Sequence, residues 1–253
     1  MYLVYAMRSP VGIRTKRRDF LVGTAGAGVV LLRTAARAES ARGAPPPRKR
    51  AEADIAPPED LMREHGVLNR ILLLYEEGVR RLDEGRPLPI ETIASAAEIV
   101  RRFVEQYHER LEEEHLFPRF EKARTLADLV ATLRAQHQAG RQLTEAILAE
   151  ANVTSLQSAR GRKKLTGTMG LFIRMYRPHE AREDTVLFPA IRTIVPPKEL
   201  AALGEQFEDE EHALFGKAGF EGIVSQVAML EETLGIYELA QFTPGVGRPS
   251  GIP

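Results

Sequence analysis

Residues 108–118 read His-Glu-Arg-Leu-Glu-Glu-Glu-His-Leu-Phe-Pro, and residues 179–189 read His-Glu-Ala-Arg-Glu-Asp-Thr-Val-Leu-Phe-Pro. The two stretches align at an offset of 71, so His108, Glu112 and Pro118 match His179, Glu183 and Pro189. Upstream of each stands a lone histidine, His65 and His137, and these two are offset by 72. Each half of the chain therefore supplies one His, then His-x-x-x-Glu, then Leu-Phe-Pro. A spacing of four places both side chains on one face of a helix, about one turn apart, so both reach one site. A unit used twice in this way builds a pseudo-two-fold arrangement.

The flanking residues carry a helical period. Leu61, Leu68, Leu72 and Tyr75 form one stripe with His65 inside it; Ala97, Val100, Val104 and Leu111 form a second with His108. Val130, Leu133 and Ile147 form a third around His137, and Leu165, Met169, Phe172 and Tyr176 form a fourth that runs into His179 and Glu183. A fifth helix is expected from Pro197 through Phe207 towards Phe215, and a further helical stretch over 221–239. Pro178 is expected to bend the fourth helix. No segment alternates as a strand does. The reading is an all-α fold, a four-helix bundle with an additional C-terminal helical segment.

Composition narrows the chemistry. The chain has 253 residues, 35 basic and 35 acidic, and no Cys, which excludes disulfides, thiolate metal sites and a cysteine nucleophile. It has no Trp and only 6% aromatic residues, against a base-stacking surface, and no net charge to draw it to phosphates. No nucleic-acid partner is expected.

The N-terminus has its own character. Residues 15–22 read Thr-Lys-Arg-Arg-Asp-Phe-Leu-Val, an apolar run follows from Phe20 to Leu32, and Ala36-Arg37-Ala38 is a small-x-small cleavage pattern. In that order they resemble a twin-arginine signal peptide over 1–38, cleaved after Ala38, with Met7 as an alternative start. The resemblance implies passage through the twin-arginine export machinery as a folded protein, and a periplasmic or otherwise exported location. The run is too short to leave a stable membrane anchor. Removing 1–38 leaves 28 basic against 34 acidic residues, a net charge of −6. Residues 39–58 read as a Pro/Ala-rich linker, 59–190 as the bundle, 191–241 as the helical extension and 242–253 as a flexible tail.

Four imidazoles and two carboxylates brought into an apolar interior need a partner, because a buried unpaired charge is costly. A pair of cations supplies one. His65, His108, Glu112, His137, His179 and Glu183 are the candidate metal ligands, with two His for each ion and the two Glu as bridges. This leaves positions for an oxo or hydroxo bridge and for a small ligand. Nitrogen and carboxylate donors suit iron or manganese.

These residues resemble the hemerythrin-like, or HHE cation-binding, domain over about 59–190. The resemblance rests on His65, His108-x-x-x-Glu112-Glu113, His137, His179-x-x-x-Glu183 and the two Leu-Phe-Pro ends. It implies a left-handed up-down bundle around a non-haem di-iron centre, binding dioxygen, peroxide or nitric oxide. The alternative it implies is an iron-binding, iron-sensing or iron-centre repair module without reversible oxygen carriage. Oxygen-carrying relatives have a further His where this chain has Arg141, and Asp five residues after the last-helix His, where Asp184 follows Glu183 here. Glu109, Glu113, Glu180 and Asp184 read as supporting or surface acids, and His115 as a rim residue or spare ligand. His212 reads as solvated; Tyr107 and Tyr176 as core residues or donors to a bound ligand; Arg141 as a counter-charge or a surface cation.

Overall fold

A computed structural model describes residues 55–244, all of whose regular structure is helical. The export signal read over 1–38, most of the linker, and the tail beyond residue 244 lie outside the described residues.

Helix α1 spans Pro57–Asp83. Its prolines Pro57 and Pro58 are helical and buried rather than part of the linker, because a first-turn proline lacks only an N–H that the helix leaves unbonded anyway. Glu59 and Asp60 complement the N-terminal end of the helix dipole, and Arg80 and Arg81 the C-terminal end. Gly85, at φ 67°, turns the chain away. Helix α2 is continuous over residues 90–123, but alternates between α and π geometry, with π segments at Val100–His108 and Glu112–Leu116. Helix α3 spans Ala127–Glu150. Helix α4 is continuous over residues 159–194, with a π segment at Glu183–Leu187.

The four helices form a bundle in which α1 and α3 each pack against both α2 and α4. The residues read from the sequence as four apolar stripes are all buried and form its core. The C-terminal helices α5 (Pro197–Phe215) and α6 (Gly219–Thr233) cover one side, both packing on α1 and α2. Phe215 sets its ring edge-on to Phe103 and Tyr107, each at 5.5 Å. No helix among the described residues is long and apolar enough to cross a membrane.

The α-helical ladder of α4 runs through Pro178 and departs from α geometry later, at Glu183. The cause lies ahead. Pro118 and Pro189 each follow a π segment and occupy the first turn of the next α segment, Phe117–Ala123 and Phe188–Ile194. In unbroken α register each ring would press on the carbonyl four residues back. The wider turn avoids this, and the Phe117 and Phe188 amides bond to the carbonyls of Glu112 and Glu183 instead. Both candidate bridging glutamates thus open a π segment, a departure that recurs at functional sites.

Candidate metal centre

All six candidate ligands meet in the middle of the bundle. His65, His108 and Glu112 bring donor atoms within 4.8 Å of one another, and His137, His179 and Glu183 do the same. Carboxyl contacts link the two groups. His65 Nε2 lies 3.4 Å from Glu183, and His137 Nε2 lies 3.3 Å from Glu112. Within each repeat, His179 Nε2 stands 3.1 Å and His108 Nε2 3.7 Å from the glutamate four residues on. Each imidazole therefore turns Nε2 inward.

The outward nitrogens are held too. His65 Nδ1 lies 2.7 Å from Asp184, His108 Nδ1 2.7 Å from Glu64, His137 Nδ1 2.9 Å from Glu113, and His179 Nδ1 2.9 Å from Gln136. Such partners fix ring orientation and tautomer in metal sites. The pattern repeats with the chain: Asp184 matches Glu113, and Glu64 matches Gln136. Phe188 stacks on His65 at 5.5 Å and Phe117 on His137 at 5.4 Å, both at 22°.

Next come two acids that directly follow candidate ligand histidines. Tyr176 donates its hydroxyl to Glu109 at 2.7 Å, and Arg141 stands 3.0 Å from Glu109 and 2.8 Å from Glu113. In the other half, Asn69 donates to Glu180 at 2.5 Å. Arg141 is thus the counter-charge of two supporting acids. His115 faces Gln206 and Glu210 on α5, away from the centre, and His212 is exposed. The Tyr107 hydroxyl meets the Phe207 carbonyl at 3.5 Å.

Several inward-facing donor atoms have no partner among the described residues. Both Glu112 oxygens, both Glu183 oxygens and His137 Nε2 have no hydrogen-bond partner, and the three residues are 0% exposed. Buried polar atoms ordinarily find partners. Burial and the neighbouring Glu183 push the Glu112 carboxyl well above its ordinary range. Burial also acts to raise Glu183, but His179 and His65 outweigh it and hold that carboxyl low. Burial acts to lower His65, but Asp184 and Glu183 reverse the effect and raise it to about 10. Burial and His65 together drive His108 well below its ordinary value. Five inward-facing atoms without partners, of the nitrogen and carboxylate types that bind divalent metals, fit a pair of cations.

Glu64, Gln136 and Asn69 were not apparent as site residues from the sequence. The signal was present: Glu64 and Gln136 precede the two lone histidines, and Asn69 stands 72 before Arg141.

The family model for the hemerythrin HHE cation binding domain matches residues 56–191 and 128–215. An uncharacterized protein of Mycobacterium bovis and one found in two strains of Mycobacterium tuberculosis are 46% identical to this chain over 231 residues. The match covers 90% of this chain and 91% of theirs. No solved structure matches. With its helical bundle, paired His-Glu clusters and matched repeats, the chain belongs to the hemerythrin HHE cation-binding family.

Proposed function

We propose that this protein is an exported, non-haem di-iron protein that binds dioxygen, peroxide or nitric oxide in a redox or stress-related role. His65 and His108 would hold one ion, His137 and His179 the other, with Glu112 and Glu183 bridging. The observation that carries this reading is the set of partnerless inward atoms on Glu112, Glu183 and His137. Two iron ions are favoured by the family, and the donor types admit manganese as well. We read the bundle as left-handed and up-and-down, supported by the short connections at 84–89 and 124–126 and by the packing of α1 and α3 on both α2 and α4. Export is supported by the twin-arginine pattern at 15–22 and the cleavage pattern at 36–38.

When bound, the ion pair would supply Lewis acidity and one-electron chemistry at an open coordination position. The chain's own residues do the rest. Asp184, Glu64, Glu113 and Gln136 each stand against an outward Nδ1, where with metal bound they would accept its N–H and leave the inward Nε2 lone pair to the ion. Phe117, Phe188 and the apolar stripes keep bulk water from the donors, which strengthens each electrostatic contact. A second reading, an iron-holding or sensing module without turnover, draws support from the deep burial of all six donors.

Elemental analysis with an optical spectrum of the as-isolated protein tests the first reading. Two irons per chain with oxo-bridge charge-transfer bands are expected, and metal well below one ion per chain would overturn it. Anaerobic reduction followed by rapid mixing with dioxygen, peroxide or nitric oxide should change those bands. If all three leave them unchanged, the iron-holding reading stands and the ligand-binding one fails.

A further inference from the structure

The repeat that builds this centre is broken at one supporting residue: Glu64 stands 2.7 Å from His108 Nδ1, and its counterpart Gln136 stands 2.9 Å from His179 Nδ1. We propose that this makes the two metal positions inequivalent, the His65–His108 position holding its ion tightly and the His137–His179 position holding it as the exchangeable one. The inference rests on the di-metal reading above.

A carboxylate behind a metal-bound imidazole makes the ring a stronger donor, and the charge-assisted hydrogen bond is about twice as strong as its neutral counterpart. The first position has a carboxylate behind both rings, Asp184 at 2.7 Å and Glu64 at 2.7 Å. The second has one carboxylate, Glu113, and one neutral amide, Gln136. Glu113 is in turn shared with the Arg141 guanidinium at 2.8 Å, which draws charge away from His137.

The surroundings push the same way. Asp60 and Glu211 bring oxygens within 4.8 Å of Glu64, so an acidic cluster, with Arg63 3.0 Å from Asp60, stands on the side of the first position, where it favours a cation. The residue 72 beyond Asp60 is Thr132, so the repeat supplies no counterpart of Asp60 on the second side. The C-terminal helices lie over the first side only. Glu64 is 2% exposed beside Tyr107, whose hydroxyl reaches Phe207 of α5, whereas Gln136 is half-buried. The drier setting slows water from reaching the first ion.

The experiment titrates the metal-free full chain with ferrous iron alone, under anaerobic conditions, against a competing chelator. Repulsion between two cations separates their binding steps in any such centre, so the variants carry the decision. Gln136→Glu should tighten the weak step about tenfold and narrow the gap, and Glu64→Gln should loosen the tight step by about 10–100-fold. The swap Glu64→Gln with Gln136→Glu should reopen the gap with the positions exchanged, which a merely structural role for either residue would not do. Circular dichroism confirms folding, and Gln136→Glu is half-exposed and conservative should the Glu64 variant misfold. Equal constants in the wild type, or a gap that Gln136→Glu leaves unmoved, would overturn the inference while leaving the di-metal reading intact. Fewer than two ions on the wild type overturns the di-metal reading itself and the inference with it.

Discussion

Glu112 and Glu183 are both 0% exposed, and the metal-free protein carries these two buried carboxyls at a cost. Neither carboxyl has a hydrogen-bond donor, and each raises the free energy of ionising the other. Replacing one buried ionisable group by a neutral isostere should therefore change sign with metal. Metal-free Glu112→Gln should be more stable than the metal-free wild type by about 1–3 kcal/mol. The metal-loaded variant should lose one or both ions, and so lose stability relative to the loaded wild type. Thermal melts with and without metal check both signs; a variant destabilised in both states would show that Glu112 is bonded in a way these contacts do not describe. A nearby position is decided by space alone. A Cβ on Gly140 would stand 1.9 Å from the Tyr176 hydroxyl. Gly140→Ala should push Tyr176 off Glu109 and cost about 1–3 kcal/mol, despite the higher helix propensity of alanine. Gly167, which has open space around it, is the control: Gly167→Ala should be neutral or stabilising.

At the scale of elements, the long helices were legible because their apolar positions follow the 3.6 period over many turns, and the six candidate ligands were legible because they lie on those stripes. The π segments were not. One residue of extra winding barely disturbs the apolar spacing, and Pro118 and Pro189 read as the ends of helices rather than as the cause of a wider turn just before them. Pro178 reads as the expected place of a bend, although its helix continues through it. The supporting residues were hard to see for another reason. Gln136 is half-buried and Asn69 exposed, and their roles depend on partners some 43 and 111 residues away. The C-terminal end of α1 gives a prediction of its own. Glu77 is 7% exposed and gathers Arg81 at 2.6 Å, Arg80 at 2.5 Å and Arg86 at 3.1 Å. Burial acts to raise its carboxyl, but the three guanidiniums outweigh burial and hold it below the ordinary value. A depressed folded-state value stabilises the protein above the unfolded value of about 4.3, and the stabilisation fades as pH falls through the folded value. Glu77→Gln should therefore lower Tm by about 2–4 °C near neutral pH, with the gap to the wild type closing below about pH 4. A gap independent of pH would mean that packing of the side chain, not its charge, is what the variant removes.

For the whole molecule, two forms of order are superposed. The bundle has a pseudo-two-fold repeat, with stacked rings, tilted imidazole pairs and π segments in matching places. The C-terminal helices break it by covering only the side of α1 and α2 where Glu64, Tyr107 and His108 lie. Phe207 is the contact to test. Its ring is buried in α5, packs 5.6 Å from His115, and its carbonyl meets the Tyr107 hydroxyl. Phe207→Ala should cost about 3–5 kcal/mol, as expected for a buried phenylalanine whose cavity cannot fully close. It should also act at a distance from itself. A looser cover admits water towards Tyr107 and Glu64, so iron should leave the variant faster when challenged with a chelator. Leu171→Ala, at a side chain 59% exposed on the uncovered side of α4, should change neither Tm nor the rate of iron loss. If Phe207→Ala lowers Tm and iron leaves at the wild-type rate, the cover contributes stability but does not shield the centre, and the asymmetry between the two positions would then rest on Glu64 and Gln136 alone.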